Sequence, residues 1–295
     1  MVYLKTFTLL DELQEHNILC FEEIRRIFNN NYPLHLFTNK EFKKIDFDKI
    51  TIFYGGNGSG KTTLINIISE KLNATRKSAI DKGSYFDIYV NHCDYEMAFD
   101  EPVETKLITS DDVFDYLLDI RSINSNVNRQ KERLSKEYLE YKFNNNNSFD
   151  NYDELKISWE AKRKSMSKFV RERLGNNNII EWSNGESALM FWEREIKEDS
   201  IYILDEPENS LSAENQLKLK KFIEDSIRFY NCQFIISTHS PFLLKLEDAK
   251  IYDLDEVPVV TKKWAELSNV QVYYQFFKDY ESEFIQKDKN SEKEE

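Results

Sequence analysis

The chain has 295 residues, of which 40% are hydrophobic and 14% aromatic, with seven glycines and five prolines. This composition is typical of a globular protein with a sizeable core, and it excludes a disordered or collagen-like chain. The net charge of −13 excludes a surface that is basic throughout, as a protein coating nucleic acid would need, but it permits a local basic patch.

The cysteines and the N-terminus indicate the compartment. Cys20, Cys93 and Cys232 lie far apart and form no CxxC pair, which predicts reduced, buried thiols. The N-terminal segment lacks the basic region and the small-residue cleavage site of a signal peptide. Apolar runs are too short to span a membrane. We therefore expect a soluble, cytoplasmic protein without membrane insertion.

The first part of the chain reads as strands followed by a strand–turn–helix unit. Ile50–Tyr54 combines β-branched and aromatic residues and predicts a buried strand, with a helix at 62–72 after a glycine-rich turn. Asp111 and Asp112 resemble the N-cap pair of a later helix. The other elements predicted here are strands at 3–9, 34–37, 43–47 and 106–110 and a helix at 21–28.

The middle of the chain changes character at residues 121–175, where the sequence becomes strongly charged and helix-forming. Two helical runs flank a polar interruption at 144–151, which predicts an antiparallel helical hairpin with its tip there. We interpret this segment as an insertion in one domain of residues 1–280. A charged, solvated tail is predicted at 281–295.

The last third returns to an alternation of strands and helices. Strands are predicted at 201–205, 233–238 and 250–255, and a helix at 213–230. Because parallel strands need crossover helices, this order predicts an α/β fold with a mainly parallel sheet covered on both faces.

Residues 55–62, with the sequence GGNGSGKT, match the P-loop pattern at every fixed position. Glycines let the backbone N–H groups point at phosphate oxygens, and the following helix adds its positive N-terminal end. Lys61 is expected to reach the β- and γ-phosphates, and the Thr62 hydroxyl to ligate Mg²⁺. We therefore predict ATP and Mg²⁺ as cofactors. The predicted nucleotide contacts of this loop are Gly55, Asn57, Gly58, Ser59, Gly60, Lys61, Thr62 and Thr63.

Two carboxylates follow the apolar run at 201–204. A buried strand there would carry Asp205 and Glu206 to the carboxyl edge of the sheet, beside the P-loop. Asp205 is then expected to hold Mg²⁺, and Glu206 to act as general base for the attacking water.

Three further motifs follow the P-loop in the order of the ABC-type ATPases. Ser183-Asn184-Gly185-Glu186 looks like the signature S-x-G-[QE], residues 208–212 (ENSLS) resemble the D-loop, and residues 237–240 (STHS) resemble the switch-histidine segment. The resemblance implies that Ser183, Gly185 and Glu186 of one subunit contact ATP held by the P-loop of another. It also implies that the His239 imidazole contacts the γ-phosphate, and that an ATP-bound homodimer forms. Taken singly, the signature could be a helix N-cap and His239 a structural histidine.

The form of the signature and the helical insertion are similar to the SMC/RecF-like branch, including stand-alone bacterial ATPases often labelled AAA family or AAA_21-like. This resemblance implies a P-loop NTPase head with a mainly parallel central sheet, an antiparallel N-terminal sheet and a helical-hairpin insertion. Some relatives serve in anti-phage defence, so we expect a soluble motor or switch in DNA-related or defence functions.

Two departures from the family pattern are visible. Trp182 stands where a leucine usually precedes the signature serine, and no Q-loop glutamine is found. Residues 109–112 (TSDD) lie where that loop is expected but do not match it. The missing glutamine speaks against one alternative, the nucleotide-binding subunit of an ABC transporter. A second alternative is an ATP-gated regulator of a separate effector protein.

The second arm of the insertion is rich in cations. It holds Lys156, Lys162, Arg163, Lys164, Lys168, Arg171 and Arg173. These residues could contact a nucleic acid or an acidic effector protein. Alternatively, they form the solvated face of a charged hairpin and pair with Glu132, Glu137 and Glu140 of the first arm.

Overall fold

The computed structural model describes residues 1–21, 31–80, 82–143, 152–174, 184–209 and 211–284. It divides into two units, one of Met1–Val113 with Ala188–Glu295 and the other of Phe114–Ser187. The strands are β1 (Leu4–Thr8), β2 (Lys44–Asp46), β3 (Ile50–Tyr54), β4 (Asp94–Met97), β5 (Glu104–Thr109), β6 (Ser200–Asp205), β7 (Gln233–Ser237), β8 (Lys250–Asp253) and β9 (Val260–Lys262). The helices are α1 (Glu12–Phe21), α2 (Lys61–Lys71), α3 (Phe86–His92), α4 (Ser110–Phe143), α5 (Tyr152–Arg163), α6 (Met166–Leu174), α7 (Asn184–Glu195), α8 (Ala213–Phe229) and α9 (Ser268–Asp279).

A six-stranded sheet forms the centre of the first unit, in the order β5-β6-β7-β3-β8-β9. All neighbours are parallel except β8 and β9, which pair antiparallel. β3 and β7 are buried along their whole length, as their continuous apolar sequences predict for strands covered on both faces. The prediction of a mainly parallel central sheet is confirmed.

A second sheet of three strands has the order β2-β1-β4, and β1 pairs antiparallel with both neighbours. The predicted antiparallel N-terminal sheet is therefore present. Its outer strand β4 was not predicted, since DYEM carries alternating charge and little apolar character. The strand β9 and the helices α1, α3 and α9 were likewise missed.

The side chain of Gln233 joins the two sheets. It is fully buried at the start of β7, and its Oε1 accepts the N–H groups of Tyr3 (2.9 Å) and Leu4 (2.8 Å). Its Nε2 donates to the carbonyls of Leu4 (2.9 Å) and Asp48 (3.0 Å). A buried amide satisfied on all sides fixes the N-terminal strand against the parallel sheet.

Residues 34–37 do not form the predicted strand. They lie in turns that lead into a 3-10 turn at Thr38–Lys40, and His35 has a φ of +66°. The buried carboxylate of Glu15 accepts the His35 N–H (3.0 Å) and the Thr38 hydroxyl (2.9 Å). This backbone therefore bonds to a side chain of α1 rather than to a neighbouring strand.

The predicted helix at 21–28 lies outside the described residues except for Phe21, which is the last residue of α1. One predicted helix start needs correction. The N-cap of α4 is Thr109 rather than Asp111 and Asp112. Asp112 Oδ2 accepts the Thr109 N–H (2.9 Å), and Thr109 Oγ1 accepts the Asp112 N–H (3.4 Å), as in a capping box.

In the second unit, α4, α5 and α6 pack around a small core of Tyr138, Ala161 and Phe169. The hydroxyl of Tyr138 donates to the carbonyl of Lys164 over 3.0 Å. The helices α4 and α5 therefore flank the predicted hairpin tip, and the tip itself, residues 144–151, lies outside the described part. The boundaries 121–175, 1–280 and 281–295 stay predictions.

Replacing Gln233 by the apolar, similarly sized methionine should reduce the free energy of unfolding by about 3 kcal/mol. The change removes the partners of four backbone groups, three of them in buried hydrogen bonds, and each buried loss costs on the order of 1 kcal/mol. Equilibrium urea unfolding measures this. Gln275→Met, at an exposed position, is the control and should change stability by less than about 0.5 kcal/mol. Equal effects of the two substitutions would contradict the joining role of Gln233.

Candidate active site

The P-loop connects the end of β3 to the start of α2. Gly58 and Gly60 have φ values of +80° and +99°, which L-residues with a side chain adopt at a cost, and Gly60 is the N-cap of α2. A Cβ on Gly55 would lie 2.6 Å from the Ser59 hydroxyl. The glycines are therefore required by both backbone conformation and close packing.

Lys61 lies buried inside this loop. Its Nζ donates to the carbonyls of Gly55 (2.9 Å) and Gly56 (3.1 Å). Burial lowers the pKa of the ammonium group, while the nearby carboxylates of Glu206 and Asp205 oppose that shift. A cation held mainly by two carbonyl dipoles in a desolvated loop is well placed to receive an anion.

Asp205, the last residue of β6, is brought to the P-loop by the sheet register. Its Oδ1 accepts the Thr62 hydroxyl over 3.4 Å and is also hydrogen-bonded by the hydroxyl of Ser237, the last residue of β7. Burial raises the pKa of this carboxyl above its ordinary value, and the two hydroxyl donors oppose the rise. Two oxygen atoms of the kind that bind hard cations, Thr62 Oγ1 and Asp205 Oδ1, thus lie next to each other.

Glu206 follows directly and turns away from the sheet. Its φ is +49°, and its N–H donates to the Ser237 carbonyl over 3.0 Å. Its Oε2 accepts from the Asn209 amide (3.1 Å), and its Oε1 lies 3.4 Å from Nε2 of His239. The left-handed backbone, rare for a glutamate, keeps this carboxylate on the side of His239.

His239 lies just beyond β7. Burial lowers the pKa of its imidazole, the charge of Lys61 lowers it further, and Glu206 opposes both. The Nε2 atom is buried and makes no hydrogen bond within the described residues. The ring nitrogen therefore faces the site with unused hydrogen-bonding capacity.

The sequence prediction missed the part played by Glu208. This buried carboxylate accepts through Oε1 the Thr238 hydroxyl (2.7 Å), the His239 N–H (2.7 Å) and the Ser240 N–H (3.1 Å). Burial raises its pKa, and these donors oppose the rise. The segment after β6 is thereby tied to the segment that carries His239. The sequence signal for this role was a glutamate in the short polar loop between β6 and α8.

Asp255 was also missed. Its Oδ2 accepts the N–H of Gly56 over 2.7 Å, so a carboxylate from the turn after β8 fixes the first half of the P-loop. Asp255 reaches the P-loop because β8 lies parallel to β3 and ends at the same edge of the sheet. The sequence signal was an acidic residue at the end of the strand predicted at 250–255, two positions beyond the observed β8.

A cleft of about 450 Å³ lies beside Thr62 and Asp205. Its wall includes Ser110 and Asp111, from the segment that lies in the Q-loop's place without matching it. The first turn of α4 therefore supplies polar groups next to the two oxygen donors. The Thr63 hydroxyl shares a hydrogen bond of 2.6 Å with the hydroxyl of Tyr32, which also lines this cleft.

The remaining predicted nucleotide contacts belong to the signature and to the exposed part of the P-loop. Gly185 and Glu186 lie in the first turn of α7, which begins at Asn184, and the signature residue Ser183 precedes the described residues of this helix. Asn57 is exposed in the P-loop. The structure thus brings together Lys61, Thr62, Asp205, Glu206 and His239. Of the signature, Ser183 lies outside the described residues, and Gly185 and Glu186 belong to the second unit.

The site fits a nucleoside triphosphate with Mg²⁺. Two buried polar atoms, Ser59 Oγ in the P-loop and His239 Nε2, make no hydrogen bond in the described chain, and both suit phosphate oxygens. Thr62 and Asp205 offer the oxygen ligands that Mg²⁺ prefers. No group of three or more His, Cys, Asp or Glu side chains within the described ranges forms a metal site by itself, so a cation here would need ligands from the nucleotide or water as well.

The His239 pKa provides a test of this geometry in the nucleotide-free protein. Because Lys61 depresses it, Lys61→Met should raise the midpoint of the imidazole titration measured by NMR, whereas Lys71→Met at the end of α2 should leave it unchanged. The wild-type imidazole stays neutral in the folded state at pH values where it is protonated when unfolded. Its contribution to stability is therefore present above the ordinary histidine pKa and lost as pH falls toward the lowered one. An unchanged midpoint in Lys61→Met would contradict the proximity.

No described helix combines the length and the apolar character needed to cross a membrane. The family model AAA_21, described as "AAA domain, putative AbiEii toxin, Type IV TA system", matches residues 100–245, just under half of the chain. No curated protein matches.

Similar solved structures include the SMC head domain from Thermotoga maritima (15% identity, 88% of this chain and 99% of that chain, TM-score 0.40). Another is the SmcHead bound to the C-winged helix domain of ScpA (16% identity, 75% of this chain and 93% of that chain, TM-score 0.38). A third is an inward-facing conformation of a "putative metal-chelate type ABC transporter" (17% identity, 77% of this chain and 78% of that chain, TM-score 0.34). Likenesses this distant say nothing about activity. The chain is thus similar to the AAA_21 family over residues 100–245, and its P-loop, acidic strand end and histidine meet at one sheet edge as the resemblance to ABC-type ATPases implies.

Proposed function

We propose that this protein binds ATP with Mg²⁺ and hydrolyses it to ADP and phosphate. The observation that carries the proposal is the meeting of Lys61, Asp205, Glu206 and His239 around a P-loop, where two buried polar atoms make no hydrogen bond to any described residue. Such an arrangement suits phosphoryl transfer, in which positioning and electrostatic stabilisation supply most of the catalysis.

The residues divide the work according to their chemistry. The P-loop N–H groups and Lys61 bind the phosphates, and Lys61 exchanges its two carbonyl partners for phosphate oxygens. Thr62 and Asp205 would hold Mg²⁺, which would supply positive charge against the phosphates. Glu206 takes a proton from the attacking water, and His239 donates a hydrogen bond to the γ-phosphate. Glu208 acts as a positioning residue, because it holds the backbone of His239.

We further infer that the working form is an ATP-sandwich homodimer. The signature at Ser183, Gly185 and Glu186 resembles the segment that closes over ATP from a second subunit in this family. In a two-fold dimer each site would combine the P-loop of one protomer with the signature of its partner. Binding would close the pair and hydrolysis would reopen it.

The pathway served by this switch is a separate matter. The description of the matched family favours a toxin or defence module, in which the ATP state gates an effector protein. In the insertion, Lys164 and Arg173 pair with Glu160 and Glu172 of their own arm rather than with the other arm, while Lys156, Lys162 and Lys168 are exposed. We keep nucleic acid or an acidic effector as the partner that this arm would contact.

Glu206→Gln should retain ATP and lose turnover. The amide preserves shape and hydrogen bonding but cannot accept the proton of the attacking water, so we expect kcat to fall by about 10²- to 10⁴-fold. Phosphate release and binding of a fluorescent ATP analogue measure the two properties. Lys61→Ala should instead lose binding. Normal ATPase activity in Glu206→Gln would refute its role as the base.

The sandwich predicts complementation between two inactive variants. Lys61→Ala and Ser183→Arg, co-expressed with different tags and purified as mixed dimers, should regain one intact composite site, because each variant supplies what the other lacks. Activity should reach about half the wild-type value per dimer if the two sites act independently. Mixed dimers as inactive as either variant alone would exclude a site shared between subunits.

A further inference from the structure

The C-terminal helix α9 exposes a continuous row of aromatic rings. Tyr273, Phe276, Phe277, Tyr280 and Phe284 recur at helical spacing, and each is between 43% and 57% exposed. Residues 281–284 continue the helical conformation after α9, so these five residues share one face. We call this face the aromatic stripe. Single exposed apolar residues are ordinary on protein surfaces, but a contiguous stripe marks an interaction site.

Helix α9 also lacks the packing that a helix of its length requires. Of its twelve residues only Val270 is buried, and every residue from 271 to 284 is exposed. Isolated helices of this length are marginal in water, and helices in proteins gain most of their stability from packing. The rings do order one another, with centroid distances of 5.6 Å for Phe276–Phe277 and 5.0 Å for Phe276–Tyr280. A preordered aromatic surface loses little entropy on binding a partner.

The surrounding charge limits the class of partner. Asp279, Glu281 and Glu283 lie among the stripe residues. Carboxylates at these positions repel the phosphates of nucleic acid and of anionic lipid. An apolar protein surface with the same helical spacing is the complementary partner, and a second copy of this chain supplies one.

We propose that the aromatic stripe is a self-association surface, through which α9 of one protomer packs against α9 of a second copy in a two-fold contact. Burying five half-exposed rings from each copy would remove about 1,000 Å² of surface from water. The flanking side chains of Val272 and Tyr274, which are also exposed, bring the total into the range of about 1,200–2,000 Å² that stable interfaces bury.

The base of α9 is anchored at the active site. The Tyr54 hydroxyl, at the end of β3, shares a hydrogen bond with Ser268 Oγ (2.9 Å) and accepts the Asn269 N–H (2.9 Å). The Asn269 side chain donates to the carbonyl of His239 over 3.1 Å. A contact through α9 therefore holds two active sites at a high effective concentration, so that closure on ATP becomes an intramolecular step. This consequence rests on the proposed function, whereas the contact itself does not require nucleotide.

The solution mass of the nucleotide-free protein tests the contact. Light scattering over a micromolar dilution series should give about twice the 35.2 kDa mass of the chain. Phe277→Glu/Tyr280→Glu should weaken the dimer by about 100-fold or more, because two central rings are lost from each copy. Gln271→Glu/Gln275→Glu adds the same charge to the opposite face and should stay dimeric. Circular dichroism and ATP-analogue binding establish that both variants remain folded.

Cysteine cross-linking locates the contact independently. In a Cys20→Ser background, Phe277→Cys should form a covalent dimer under mild oxidation, whereas Gln275→Cys on the opposite face should not. A monomeric nucleotide-free wild type, or the same mass for the stripe and control variants, would overturn the proposal. Cross-linking of both cysteines alike would do the same.

The outcomes separate this contact from the ATP sandwich. Lys61→Ala should remain dimeric through α9 even though it binds no nucleotide. A dimer that depends on the stripe, combined with failed complementation between Lys61→Ala and Ser183→Arg, would retain the α9 contact and reject the sandwich. A mass that does not depend on the stripe, combined with successful complementation, would reject the α9 contact and retain the sandwich.

Discussion

The parallel register of β3, β7 and β6 is the constraint on which the rest of the site depends. Phe53 and Asp205 both pair with Ser237, so the ends of three strands stand level at one edge of the sheet. The P-loop, the acidic pair and the histidine leave the sheet there. A shift of one residue in any of these strands would move its side chains to the opposite face and separate the functional groups.

Several acidic and basic groups are concentrated at this edge, and desolvation sets their properties. Burial lowers the pKa of Lys61 and of His239, and it raises the pKa of Asp205 and Glu208. Each of these shifts disfavours the charged form, and the neighbouring hydrogen bonds only partly offset it. A bound polyphosphate with its cation would supply the missing charge partners, which explains why a site so rich in ionisable groups is built around a glycine loop.

Glu208, Asp255 and Asn269 connect the site to the elements around it. Glu208 ties the turn after β6 to the backbone of His239, Asp255 ties the turn after β8 to the P-loop, and Asn269 ties α9 to the same histidine segment. A change in the position of His239 or of the P-loop would therefore be felt at the base of α9. In the proposed dimer, a movement at the nucleotide would therefore reach the contact between protomers through Asn269 and α9.

The sequence by itself determined the features that depend on neighbouring residues. A P-loop is a local structure, so its spacing of glycines, lysine and threonine was sufficient to predict it. The apolar runs before Tyr54, Asp205 and Ser237 likewise predicted buried strands. The mainly parallel sheet followed from the alternation of such runs with helices. The tertiary structure alone decided what depends on distant partners. Gln233 and Glu208 resemble any surface polar residue in the sequence, since their roles come from backbone groups that lie near in space but far along the chain. Residues 34–37 have the apolar content of a strand, yet the Glu15 carboxylate accepts the His35 N–H, and carbonyls of local turns accept the N–H groups of Leu34 and Leu36. Whether the aromatic residues of α9 lie in a core or on a surface is likewise a matter of what packs against them, which no local pattern contains.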